Sequence, residues 1–306
     1  MTVMIGTRLR VGNSRRWRAA WGLACVFALA GCADVFFSLV GSGADTHGLV
    51  VQRGIVFDAP HELALDVYAP KGAAAAPVVV FFYGGSWEEG KRRWYRYVGT
   101  ALANHGVVVV IPDYRKFPDV RFPAFMDDAA HAVAWVRVHA ADFGGDPQRL
   151  FVMGHSAGGQ IAALLATDRR YLASVGLRRR DLAGMIGVAG AYAFLPFEDD
   201  EPDIFGDTPE GRYDSQPINF VDGGEPPMLL LQGTDDDEVP PDNAELMAER
   251  IEAMDGRVQL KLYDGVDHSA IMLAFAREHV TRVPALADTL AFIGHPALGD
   301  PKESKD

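Results

Sequence analysis

From Leu49 onward the chain alternates between two hydrophobic patterns. Short continuous apolar runs at Pro77–Phe82, Val107–Pro112, Arg149–Met153, Met185–Val188, Met228–Leu231 and Val258–Tyr263 predict buried strands. Between them lie stretches with helical spacing. One is Lys91–His105, stopped by Gly106, and another is Phe125–Phe143, with Ala129, Val133, Trp135, Val136 and Ala140 on or near one face. Gln160–Ala166, Asp242–Met254 and about Val283 to Ile293 complete the helical set. Ahead of them, Leu49–Phe57 and Glu62–Tyr68 predict a leading hairpin. Strand and helix in alternation predict an α/β fold, with a mostly parallel, doubly wound sheet and helices on both faces.

One segment breaks the alternation. Tyr192 to Gly224 sets Phe194, Leu195, Phe197, Ile204, Phe205 and Tyr213 among acids, prolines and glycines. An irregular stretch of that length in a compact domain predicts a small lid over a site. Its acids (Glu198, Asp199, Asp200, Glu201, Asp203) are expected to face solvent. With 306 residues, 49% of them hydrophobic, the chain can bury one large core, so residues 49–295 are expected to be a single domain with 192–224 as its lid. Residues 296–306 form a polar, charged tail.

The amino terminus follows another pattern. Arg15-Arg16-Trp17-Arg18 precedes an apolar run, Ala19–Ala30, which is shorter than the roughly 20 residues a membrane span requires. It ends in Leu29-Ala30-Gly31-Cys32. Residues 1–31 therefore predict an export signal. Small residues before a cysteine at this place resemble the lipobox of bacterial lipoproteins. The resemblance implies a lipid on Cys32, a tether over 32–48, and a location in the bacterial cell envelope, on the outer side of the cytoplasmic membrane or in the outer membrane. The only cysteines are Cys25 and Cys32, so the chain after Cys32 has no disulfide, cysteine nucleophile or cysteine metal site. The net charge of −12 includes five arginines before Cys32 with no acid among them, so the remainder is more acidic still. Such a body repels nucleic acid. His47, His61, His105, His131 and His139 lack metal-ligand spacing, and neither a metal nor a cofactor is expected.

The chemistry concentrates at Gly154-His155-Ser156-Ala157-Gly158-Gly159, between the strand Arg149–Met153 and the helix Gln160–Ala166. Strand, G-x-S-x-G, helix is the context of a nucleophile elbow, in which Ser156 sits on a strained turn and the glycines leave room for close approach. A serine nucleophile needs a base, and the base needs an orienting acid. His268, His279 and His295 are the downstream base candidates; His268, just past the last strand, is favoured. The loop Gly233-Thr234-Asp235-Asp236-Asp237-Glu238-Val239 supplies the acid. Gly-x-x-Asp-x-x-Val, a pattern of this type of sheet, selects Asp236, with Asp235 and Asp237 as alternatives. The oxyanion donors are expected from the Ala157 amide and from the loop Gly84-Gly85-Ser86 after the strand ending at Phe82. Arg115 is expected to be structural, and Trp87 and Trp94 to belong either to the pocket or to the core.

These motifs resemble the α/β-hydrolases of the carboxylesterase/lipase group, close to hormone-sensitive-lipase-like and kynurenine-formamidase-like enzymes with His-Gly-Gly-x-Trp and Gly-x-Ser-Ala-Gly-Gly. Pro112-Asp113-Tyr114-Arg115, Phe122-Pro123-Ala124 and Gly144-Gly145-Asp146-Pro147 match as well, and the resemblance spans about Val50 to Ile293. It implies a serine esterase acting on small-molecule esters through Ser156, His268 and Asp236; the expectation of short acyl chains comes from the segment 192–224, which is too short for a broad lipid-binding surface. An arylformamidase-type amidase and a non-catalytic binding protein on the same fold are the alternatives. Tyr83 stands where the family usually has His. The donors after it are backbone groups, which should preserve catalysis.

Overall fold

The computed structural model describes residues 40–197, 200–276 and 282–295. The predicted signal, Cys32 with tether residues 33–39, the tail 296–306, Glu198, Asp199 and His279 lie outside the described residues.

A hairpin of β1 (Leu49–Asp58) and β2 (Leu63–Pro70) opens the domain, with Val51 opposite Tyr68. There follow β3 (Ala76–Phe82), α1 (Arg96–Asn104), β4 (Val108–Pro112), α2 (Ala124–His139), β5 (Gly145–His155), α3 (Ala157–Thr167), α4 (Arg169–Ser174) and β6 (Gly184–Val188). Then come α5 (Glu201–Phe205), α6 (Pro209–Asp214), β7 (Met228–Gly233), α7 (Asp242–Ala253), β8 (Val258–Tyr263), α8 (Ala270–Ala276) and α9 (Ala285–Gly294). The eight strands form one sheet in the order β1-β2-β4-β3-β5-β6-β7-β8. β1 and β2 pair antiparallel, as do β2 and β4; from β4 to β8 every pairing is parallel.

The sequence accounts for this arrangement. Val78, Val79, Val80, Phe81 and Phe82 are all fully buried. Successive strand residues point to opposite faces, so burial of all five means both faces of the sheet are covered. Two helix groups provide the cover: α1 packs with α8 and α9, while α2 packs with α3 and α4. Every residue of α3 is buried, because its sequence is apolar around the whole circumference and it lies against β5 and β6 beneath neighbouring helices.

Element ends differ from the sequence reading where capping decides them. The first helix begins as a 3₁₀ turn over Arg92–Tyr95, and the second ends in another over Ala140–Phe143, closed by Gly144 at φ 75°. The segment 192–224 is more ordered than its composition suggests. It contains α5, α6 and a 3₁₀ turn at Pro217–Phe220; Thr208 caps α6 by accepting the Gly211 N–H, and Pro209 takes the first helical position. α8 is a run of seven residues, nearly all apolar, whose pattern shows too little period to fix its bounds. Among the described residues no helix is long and apolar enough to cross a membrane.

Arg115 is structural, as expected. The fully buried Asp128 carboxylate of α2 accepts the Arg115 backbone N–H at 2.9 Å, Nη2 at 2.7 Å and Nε at 3.0 Å. This ties the chain after β4 to α2. Asp128→Ala should lower stability by about 2 kcal/mol, the scale of hydrogen bonds to a charged group. The check is the urea midpoint, alongside a kcat/KM that changes little; an unchanged midpoint would contradict the structural role.

Candidate active site

β5 ends at His155, and Ser156 turns the chain directly into α3. Ser156 has φ +55° and ψ −124°, a region that non-glycine residues rarely occupy. Its amide donates to Val188 O on β6 at 3.0 Å, and its carbonyl accepts from Gly159 N–H at 2.8 Å. The crossing is tight. A Cβ at Gly154 would overlap the Gly158 carbonyl, and one at Gly158 would overlap the Phe82 carbonyl at the end of β3. These contacts hold Ser156 in a conformation it would not choose, with its side chain at the carboxyl end of the sheet.

The loops after β7 and β8 bring the acid and base candidates together. His268 Nδ1 donates to Asp236 Oδ2 at 2.9 Å, and both side chains are buried. Asp236 is fixed in turn: Oδ1 accepts Val239 N–H at 2.8 Å and Glu238 N–H at 3.1 Å, while Oδ2 also accepts Gln232 Nε2 at 2.9 Å. Burial works to raise the Asp236 carboxyl, but the hydrogen bonds from His268 and Val239 outweigh it and hold it below its ordinary value. With Nδ1 donating, neutral His268 presents a bare Nε2, the form a general base needs. The exposed Glu238 carboxylate lies 3.8 Å from that nitrogen. Asp235 and Asp237 are exposed and make no bond to His268, so neither alternative fits as well as Asp236. His295 is exposed at the end of α9.

The loop after β3 is a tight turn. Gly85, Ser86 and Trp87 all have positive φ (130°, 51° and 59°), and the Gly85 carbonyl accepts Glu88 and Glu89 N–H. Ser86 and Ala157 reach the same cavity as Ser156, while Gly84 and Gly85 stand behind it as the turn. A side chain on Gly84 would lie 3.0 Å from Ser156 Cβ, so the loop and the elbow touch. Tyr83 anchors the turn where the family usually has His. It is fully buried, stacks on Tyr114 with ring centres 4.7 Å apart, donates to Asp113 Oδ1 at 3.1 Å and accepts from Lys116 Nζ at 3.1 Å. Tyr114 in turn donates to the Tyr83 carbonyl at 2.7 Å.

The cavity measures about 460 Å³. Trp87 forms one wall, its indole N–H donating to Gln160 Oε1 at 3.1 Å; Trp94 is buried and does not line the cavity. Phe194, Leu195 and Pro196 form another wall, and Phe194 stacks on Trp87 at 5.7 Å, so the segment 192–224 does border the site. Phe205 is buried beneath, 4.8 Å from Trp87. Glu201 meets the expectation only in part: it is half-buried and lines the cavity, because α5 turns inward to bury Ile204 and Phe205.

Two residues take places that the sequence pattern does not fix. His155, the variable residue of the elbow, is buried behind His268. Their ring centres are 4.7 Å apart, and its Nε2 is 3.4 Å from the His268 carbonyl. Burial, with His268 beside it, holds the His155 imidazole down at about 3, so it is neutral at working pH. Asn243, at the start of α7, is a wall residue of the cavity. Only the loop geometry reveals either role. As for metals, donor atoms of Asp58, His61 and Asp128 gather within 4.8 Å of one another, but none of the three lines the cavity and Arg115 already occupies both Asp128 oxygens.

The family described as BD-FAE matches residues 65–177, which include the β3 loop and the elbow. The probable isoprenylcysteine alpha-carbonyl methylesterase ICMEL1 of Arabidopsis thaliana is 28% identical over 246 residues, 73% of this chain and 52% of that protein. Esterase LipC of Mycobacterium tuberculosis is 33% identical over 234 residues, 69% of this chain and 58% of that protein. The chain thus spans about half the length of the curated relatives it matches. Among solved structures, the propionate-bound thermophilic esterase Est2 of Thermogutta terrifontis superposes with a TM-score of 0.67 at 25% identity, covering 84% of this chain and 98% of that one. Sheet order, elbow and relatives agree: the chain has the α/β-hydrolase fold, and the proteins it is similar to are esterases.

Proposed function

We propose that the protein hydrolyses carboxylic esters through an acyl-enzyme. The observation that carries this is the buried His268–Asp236 hydrogen bond at the same edge of the sheet as a serine held at positive φ in a cavity. Ser156 Oγ attacks the ester carbonyl while His268 Nε2 takes its proton. Asp236 holds the imidazole in the required tautomer and stabilises the imidazolium. The backbone N–H groups of Ala157 and of the Gly84-Gly85-Ser86 turn take the oxyanion. His268 then protonates the leaving alcohol, and water, activated by the same Nε2, releases the acid.

The acyl group is proposed to be short. A cavity of about 460 Å³, walled by Phe194 and Leu195, is at the lower end of the range for ligand pockets. The propionate in the Est2 structure is of that size class. The lipobox-like Leu29-Ala30-Gly31-Cys32 supports a lipid anchor at Cys32, which would put the esterase in the bacterial cell envelope.

A p-nitrophenyl ester series of rising acyl length tests activity and chain length together. Wild type should favour short chains. Ser156→Ala should lower kcat on the order of a million-fold while the protein stays folded. Near wild-type turnover by that variant would remove Ser156 as nucleophile, and a preference for long chains would refute the short-acyl proposal. Cys32→Ser should abolish lipid incorporation when the full chain is expressed in bacteria; recovery of wild-type protein with residues before Cys32 still attached would contradict the anchor.

A further inference from the structure

Asn243 carries polar chemistry that the ester hydrolysis above leaves unused. The residue is 5% exposed and forms part of the cavity wall that holds Ser156. Its side-chain oxygen accepts two backbone N–H groups, those of Tyr192 at 3.1 Å and Ala193 at 3.0 Å. Two donors on one atom settle the orientation of the amide, since that atom must be the oxygen. Nδ2, with two N–H donors, is then on the other arm of the amide, and among the described residues it donates to nothing. Nδ2 is not among the buried unpartnered atoms, so it is open to the cavity that Asn243 lines, where a ligand or water can complete it.

The surroundings restrict what can complete it. Glu88, Asp200, Glu201, Asp237, Glu238 and Asp242 stand around the cavity and its mouth, and the described lining residues include no lysine or arginine. An anionic acceptor would meet six carboxylates with no cation among the residues around it. An uncharged oxygen would not. An alkyl chain at this place would leave the amide unsatisfied. Sites built to hydrogen-bond a substrate group reject analogues that lack the group far more strongly than apolar pockets reject an extra atom.

We propose that Asn243 is a specificity-determining residue, donating through Nδ2 to a neutral oxygen (ether, hydroxyl or carbonyl) on the substrate outside the scissile ester. The preferred substrates are thus oxygenated short esters, neither plain alkyl esters nor carboxylate-bearing ones. The inference rests on the esterase reading and deepens it.

Two isosteric pairs test it. Methoxyacetate and butyrate p-nitrophenyl esters place the oxygen in the acyl group; 2-methoxyethyl butyrate and butyl butyrate place it in the alcohol. Ratios of kcat/KM within each pair, divided by the corresponding ratios for hydroxide, remove intrinsic reactivity. Wild type should favour the oxygenated member of one pair by about tenfold, the scale of one neutral hydrogen bond. Asn243→Asp keeps the acceptor for Tyr192 and Ala193 N–H but loses the donor, and should abolish that preference. Should the variant fold poorly, the corrected wild-type ratios still decide. Corrected ratios near one in both pairs for wild type, or unchanged ratios in a folded Asn243→Asp, would overturn the inference while ester turnover stands. Absence of turnover on all four esters would overturn the esterase reading and the inference with it.

Discussion

The strained turn at Ser156 is the constraint around which the remainder of the site is arranged. Holding a non-glycine residue at φ +55° costs on the order of 1–3 kcal/mol and persists only where the surroundings over-determine it. Three things do so here. Val188 on β6 takes the Ser156 amide, the first turn of α3 takes its carbonyl, and Gly154 and Gly158 let β5, α3 and the end of β3 approach within backbone contact. The central parallel strands are thus buried on both faces for a functional as well as a thermodynamic reason. They are the rigid frame against which the strain is held.

The same frame orders the partners. β3, β5, β7 and β8 run parallel, so their carboxyl ends lie at one edge of the sheet, and the four loops that leave there carry the Gly84-Gly85-Ser86 turn, Ser156, Asp236 and His268. Each is held by local bonds. Asp236 is pinned by two backbone N–H groups and Gln232, and the turn at Gly85 by Tyr83, which Asp113, Tyr114 and Lys116 surround. Tyr83 does through stacking and its hydroxyl what positions the loop in this chain. The donors proposed beyond it are backbone groups, which an exchange of the side chain at this position leaves in place.

Much of this was legible in the sequence because it is local. Continuous apolar runs such as Val78–Phe82 mark buried strands, glycines at 154 and 158 mark a steric crossing, and the spacing Gly233 to Asp236 to Val239 isolates one carboxylate of four. What was not legible depends on contacts distant in sequence. His155 is an unremarkable elbow residue until its ring meets His268, 113 positions away. Asn243 reads as part of an amphipathic helix until Tyr192 and Ala193 take its oxygen. Glu201, placed among acids, reads as solvated until burial of Ile204 and Phe205 turns α5 inward. The short helices of the segment 192–224 are set by a Thr cap and prolines in a stretch without period, which hides them from pattern reading.

The most direct measurement of the central claim is the rate and site of labelling by an organophosphonate ester, read by peptide mass spectrometry. The probe requires an activated serine and not merely an exposed one. One adduct on Ser156 is expected, with labelling slowed by several orders of magnitude in Asp236→Asn, as when the base is left in the wrong tautomer. Asp235→Asn and Asp237→Asn should label at close to the wild-type rate. Modification of another serine, or Ser156 labelling that Asp236→Asn leaves unchanged, would contradict an elbow serine activated by His268 and Asp236.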